Sequence, residues 1–180
     1  MKTHYFLAVP LAQEVKDKLA LQMNDWKERL DFKKWVHPQD LHITLVFLGD
    51  ATKEQIQLIN EKMPALMKDH QPFELQLSSV GSFGRGDSPR IFWAGVKESK
   101  ALNNLQKDIA ALCGELGFQL DRRGFTPHIT LARKWVSNDT FLSEKSELEI
   151  GGLWNVDEVV LYQTHLHQSP KYEAINVFVI

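Results

Sequence analysis

Leu41-His42-Ile43-Thr44-Leu45 and Pro127-His128-Ile129-Thr130-Leu131 share the tetrapeptide His-Ile-Thr-Leu, with the two histidines 86 positions apart in a chain of 180 residues. Their apolar, β-branched setting reads as strand. Side chains alternate along a strand, so His42 and Thr44 share one face while Ile43, Leu45 and Phe47 share the other. His128 and Thr130 likewise oppose Ile129 and Leu131. The apolar faces bury against helices and hold the register. One such segment in each half predicts two related lobes, each presenting an imidazole and a hydroxyl.

If pseudo-twofold symmetry pairs the two strands, the four polar side chains surround one point. An in-line displacement at phosphorus needs a base beside the attacking oxygen and an acid beside the departing one. A neutral imidazole and an imidazolium satisfy that need with no metal. The threonine hydroxyls can donate to phosphoryl oxygens as charge develops. A single His-x-Thr in a strand says little, because a half-buried structural histidine is the commoner case. Its repetition in like context favours the chemical reading.

The flanking sequence reads as further regular elements. His4–Val9 is a strand closed by Pro10, and Leu11, Val15, Leu19, Met23, Trp26 and Leu30 then recur at helical spacing. Asp25 and Arg29 form an i,i+4 pair on that helix. Trp35–Pro38 connects into a strand over Leu41–Leu48, stopped by Gly49-Asp50. Thr52-Lys53-Glu54-Gln55 is a capping box for a second helix, which Pro64 should end or kink. Phe73–Val80 and Arg90–Val96 are strands around a Gly- and Ser-rich loop. Ser99 starts a third helix capped by Gly117. Pro127–Ala132 is the second motif strand, a short helix follows Ser137, and Trp154–Thr164 and Tyr172–Ile180 are closing strands. The order βαβαββαβαββ predicts an α+β fold with antiparallel or mixed sheets. With no linker between the halves, residues 1–180 are expected to form one bilobal domain.

Hydrophobic residues make up 43% and charged residues 24%, ordinary for a soluble globular chain. The net charge of −2 supplies no global field for a nucleic-acid polyanion, so phosphate binding must be local. Cys113 is the only cysteine, which rules out an internal disulfide and fits a reducing compartment. Its apolar helical setting reads as a buried thiol. No apolar run approaches a membrane span, and a cytoplasmic protein is expected.

His42-Ile-Thr-Leu followed by Phe47-Leu48-Gly49, and Phe125-Thr126-Pro127-His128-Ile-Thr-Leu-Ala-Arg133, resemble the two signatures of the 2H phosphoesterase superfamily. Within it the likeness is to the RNA 2′,3′-cyclic phosphodiesterases, also called 2′-5′ RNA ligases. Tyr5–Pro10, Trp35–Pro38, Pro89–Val96 and Val160–Thr164 extend it over nearly the whole chain. The resemblance implies a V-shaped central cleft with helices outside, and hydrolysis of RNA or nucleotide 2′,3′-cyclic phosphates to 2′-phosphomonoesters. It implies His42 as proton donor, His128 as proton acceptor, and Thr44, Thr130 and Arg133 on the phosphate, with no cofactor and no metal. The sequence itself does not distinguish the two histidines. Ligation or cleavage of a 2′-5′ linkage would use the same side chains. The alternative from another class is a non-catalytic module binding RNA ends or nucleotides. Two departures from the family pattern are Thr164, where serine is frequent, and Ser169-Pro170, where Gly-Pro is common.

Alternation puts Arg133 on the Ile129 face, so it needs a strand end or a bulge to reach the cleft. Arg122, Arg123 and Lys134 add positive charge near Asp121, as a phosphate patch or as a solvated run. Phe6, Trp35 and Tyr162 are candidates to contact base or ribose, with core packing as the competing role for Phe6. His37, His70, His165 and His167 have no evident partner, and the last two lack carboxylates at metal-ligand spacing. Gly81–Gly86 reads as a hairpin turn rather than a phosphate loop, with Arg85 free to meet a substrate backbone. No protein partner is called for, and a monomer is expected.

Overall fold

The computed structural model describes residues 3–143 and 151–180. In chain order its elements are β1 (His4–Pro10), α1 (Gln13–Arg29), β2 (Phe32–Trp35), a 3-10 turn (Pro38–Asp40), β3 (His42–Asp50) and α2 (Lys53–Met67). Then come β4 (Phe73–Gly84), β5 (Pro89–Val96), α3 (Lys100–Glu115), β6 (His128–Trp135), β7 (Leu153–Val156), β8 (Glu158–Thr164) and β9 (Tyr172–Val179). The strands run in the order β7-β4-β5-β6-β3-β1-β8-β9, with β2 added to β6. Every pairing among the described residues is antiparallel.

The apolar stripes foreseen on the helices are the faces that bury. Val15, Leu19, Met23 and Trp26 of α1, Ile59 and Met63 of α2, and Leu102, Leu105, Ile109 and Cys113 of α3 join one core with Ile43 and Ile129. Each fully buried side chain of this kind stabilises the fold by about 1.5–3 kcal/mol. The ends of the helices are satisfied as their sequences foretell. Thr52 and Gln55 close a reciprocal capping box with bonds of 3.1 Å, Ser99 accepts from the Leu102 N–H, and Gly117 takes φ +86° behind α3. Asp25 pairs with Arg29 on α1.

The two halves repeat each other pair by pair. Along β1/β3 the partners are Phe6–Phe47, Leu7–Val46, Ala8–Thr44, Val9–Ile43 and Pro10–His42. Along β5/β6 they are Ile91–Arg133, Phe92–Ala132, Trp93–Thr130, Ala94–Ile129 and Gly95–His128. Both motif strands therefore carry a surplus residue, Leu45 or Leu131, at the same place, and β3 carries a second at Leu48. The halves join where β3 meets β6 at Ile43–Ile129, the central residues of the two motifs. A pseudo-twofold axis through that pair relates the lobes.

Several expectations are corrected. Phe32–Trp35 is a strand and not only a lead-in, because it pairs with β6 past the surplus residue. The Gly- and Ser-rich stretch after Val80 continues β4 to Gly84. Gly81 fits there because a Cβ would sit 2.3 Å from the Trp93 ring, which fills that space. Trp154–Thr164 divides at Asp157 into β7 and β8, which lie in different lobes. Pro64 lies in the last turns of α2, and the helix runs on to Met67. Residues 137–142 contain no helix, and the remainder of the foreseen short helix, 144–150, lies outside the described residues.

Candidate active site

At the joint, antiparallel pairing of Ile43 with Ile129 sets His42 opposite Thr130 and Thr44 opposite His128. The histidines lie on the diagonal of this square, where Cα atoms are roughly 7–8 Å apart. That is room for one phosphoryl group between two imidazoles. The apolar alternates, Ile43 and Ile129, are fully buried on the reverse face and anchor all four side chains.

The two rings are held alike. His42 Nδ1 lies 2.7 Å from the carbonyl of Asp40, and His128 Nδ1 lies 2.7 Å from the carbonyl of Thr126. A carbonyl only accepts, so Nδ1 carries the proton in each neutral ring and Nε2 holds the lone pair. His42 Nε2 is 2.8 Å from Thr44 Oγ1, and the hydroxyl donates to it when the ring is neutral. Burial is the main cause that pushes His42 down to about 4; Asp40 opposes the shift, while the charges of His128 and Arg133 add to it. Burial also lowers His128, again opposed by its carbonyl bond and assisted by Arg133. Both imidazoles are therefore neutral near pH 7 in the free protein.

The surplus residues decide what else reaches the cleft. At a bulge two residues oppose one, so the facing pattern inverts beyond it. Leu45 and Val46 are both buried, and Phe47, foreseen on the core face, is instead 57% exposed. Leu131 and Ala132 are likewise both buried, and Arg133 turns out of the core. The bulge that Arg133 required is present. Its guanidinium acts electrostatically on His42, His128, Lys171 and Tyr172. Phe47 and Arg133 occupy equivalent places in the two lobes with opposite chemistry.

Phe6 is packed in among other rings rather than open to the cleft. It is 4% exposed, its ring lying between those of His42 (4.8 Å between centroids) and Tyr162 (5.2 Å), with the Tyr172 ring edge-on to it. Its role is to brace the His42 ring. Tyr162 is only half-buried and can offer ring surface to the cleft. Sequence reasoning missed Tyr172, whose ring meets His42 edge-on at 5.2 Å, and Phe83, which meets His128 edge-on at 4.9 Å. Tyr172 is reached only through the β8–β9 pairing. Phe83 stands among glycines whose local signal is that of a turn.

Other foreseen charges are engaged elsewhere. Arg123 forms a local ion pair with Asp121, and Arg85 with Asp87. His70 pairs with Asp108 and His165 with Glu173, while His37 Nδ1 accepts from the Gln39 N–H. These partners lie across hairpins, between helices or one turn on. Cys113 is buried, which raises its thiol to about 12. Among the described residues no group of three or more His, Cys, Asp or Glu side chains could hold a metal ion. No helix there is long and apolar enough to cross a membrane.

A cavity of about 770 Å³ opens beside Thr44 and His128 and is lined by Phe47, Phe83, Phe125 and Arg90 among others. It lies on the His128 side of the square. On the opposite side the His42 ring is flanked by the rings of Tyr162 (6.2 Å between centroids) and Tyr172 (5.2 Å).

Residues 15–168 match the family model of the 2′-5′ RNA ligase superfamily. An RNA 2′,3′-cyclic phosphodiesterase of Geobacillus stearothermophilus is 45% identical over 98% of this chain, which spans 57% of that relative's length. One of Bacillus subtilis is 34% identical over 99% of this chain and 97% of its own. Among solved structures, Escherichia coli LigT in complex with 3′-AMP superposes with a TM-score of 0.82 at 22% identity, covering 100% of this chain and 99% of its own. TT0787 of Thermus thermophilus superposes with the same score of 0.82 at 25% identity, covering 98% and 97%.

Proposed function

The chain belongs to the 2′-5′ RNA ligase superfamily, and from that premise we propose that it hydrolyses 2′,3′-cyclic phosphates on RNA ends or small nucleotides to 2′-phosphomonoesters. The observation that carries this reading is the square of His42, Thr130, His128 and Thr44 around the Ile43–Ile129 pair. The Geobacillus and Bacillus relatives, which are RNA 2′,3′-cyclic phosphodiesterases, support it.

In this reading phosphorus sits over the axis. His128 Nε2 takes the proton of the attacking water, and His42 Nε2 returns one to the ribose O3′ as the P–O3′ bond breaks. Thr44, Thr130 and Arg133 hold the non-bridging oxygens as charge builds on them. Both imidazoles are neutral in the free protein, so the anionic substrate itself draws in the proton that one of them must carry. The ribose then lies on the His42 side, within reach of Tyr162. The two lobes work as one domain, because β4 follows the first motif yet pairs in the second lobe, and β8 does the converse. We place the protein in the cytoplasm as a monomer, in keeping with its one buried, unpaired thiol.

The cavity favours a second reaction in the same cleft. It lies beside His128, on the attacking side, where a nucleoside 5′-hydroxyl could replace water and join or, in reverse, cleave a 2′-5′ linkage.

Phosphorus NMR of the protein with a 2′,3′-cyclic nucleotide tests the reading. Ring opening to the 2′-monoester, undiminished in EDTA, is expected. A bound but unopened ring would make the protein a binding module instead.

A further inference from the structure

The two histidines are framed alike except in one respect. Asp40 and Thr126 are equivalent by the 86-residue repeat, and the carbonyl of each accepts from its histidine's Nδ1 at 2.7 Å. Behind His42 the side chain is a carboxylate; behind His128 it is a hydroxyl. Asp40 is 5% exposed, and it is the one charged side chain among the buried residues described. Its Oδ2 accepts the N–H of Lys171 at 3.0 Å and its Oδ1 that of Tyr172 at 3.2 Å, bonds that reach across 131 and 132 residues. They tie the turn before β9 to the 3-10 turn and seat the Tyr172 ring against His42.

Resting on the reading above, we propose that Asp40 is a positioning residue that breaks the symmetry of the cleft: its buried carboxylate offsets part of the burial that disfavours the imidazolium at His42, and so lets that histidine serve as the proton donor. Burying a carboxylate is costly even when it is hydrogen-bonded, and a neutral acceptor could hold the turn with less desolvation. The charge therefore points to a use. An opposite charge a few ångströms away raises an imidazole's pKa by about one unit or more.

The groups that face this carboxylate are His42 on β3, Lys16 on α1, Tyr162 on β8, and Lys171 and Tyr172 at the start of β9. His42 also faces His128 and Arg133, whose positive charges work against its protonation. Arg133 acts on both histidines and so does not distinguish them. Asp40 acts on His42 alone of the two. Burial weighs heavily on His42, and Asp40 offsets part of a shift that would otherwise run further.

The test combines Asp40→Asn with Thr126→Asp, reading ring titrations by NMR in the whole protein and the pH profile of kcat on a cyclic nucleotide. Asp40→Asn keeps an acceptor for the turn and loses the charge. It is expected to lower the His42 midpoint by about one unit, leave His128 in place, and move the alkaline limb of kcat to lower pH. Activity lost at pH 8 should then return on acidification, and Asp40→Glu should restore the limb. Thr126→Asp should raise the His128 midpoint instead, and it decides the matter should Asp40→Asn unfold. Unmoved midpoints, or a loss of kcat equal at every pH, would overturn the proposal. Failure of the unaltered protein to open the cyclic nucleotide would sink the phosphodiesterase reading, while the titrations would still report on Asp40.

Discussion

Removing either imidazole removes one of two proton transfers, so His42→Ala and His128→Ala should each lower kcat/KM by ~10²–10⁴. Thr44→Val and Thr130→Val lose a hydroxyl donor to a charged oxygen, worth about 1.5–3 kcal/mol, and should cost ~10–100-fold. Steady-state rates on a 2′,3′-cyclic nucleotide check both, and equal two-fold losses throughout would deny the four residues their roles. These side chains were legible because a repeated tetrapeptide carries its own alignment. Asp40, Tyr172 and Phe83 were not. Asp40 lies two residues before a motif histidine and reads as a turn residue. Only the hydrogen bonds to the Lys171 and Tyr172 N–H groups show that it faces inward.

Strand alternation is a local rule, and one surplus residue defeats it. The bulges at Leu45 and Leu131 turn Phe47 and Arg133 out of the core, against the pattern of the residues before them. Deleting Leu131 should restore simple alternation and drive the Arg133 guanidinium toward the core. The expected result is loss of phosphate affinity with a destabilised β6, seen as a raised KM and a lowered urea midpoint; unchanged values would deny the bulge its part. Gly81→Ala tests a neighbouring element. Its Cβ would stand 2.3 Å from the rigid Trp93 ring, whose centroid lies 6.2 Å from that of His128. Overpacking of this kind costs about 1–3 kcal/mol, and calorimetry should show a lowered Tm together with reduced kcat. The helices were read nearly to their ends, because periodicity and caps are properties of short segments. The short β2 was missed because its four residues become a strand only through β6.

Across the whole molecule, the buried histidine couples chemistry to stability. His42 sits at about 4 when folded, against an unfolded value near 6.5. Between those values the unfolded chain binds more protons, so stability is full above pH ~6.5 and falls as pH drops toward ~4. The loss from this group is on the order of 3 kcal/mol. Urea midpoints at pH ~7.5 and ~4.5 should differ accordingly, and His42→Gln should narrow the gap; an identical gap in the variant would assign the acid lability elsewhere.

The amino-acid sequence by itself determined the three helices, the two motif strands and the four polar side chains they carry, since each follows from periodicity, capping or repetition over a few residues. The tertiary structure alone decided what surrounds them: the bulges that bring Arg133 and Phe47 out of the core, the Tyr172 wall, and the carboxylate behind one histidine. Those depend on register between strands far apart in the chain, and register is settled by packing the whole sheet at once, which no short window of sequence contains.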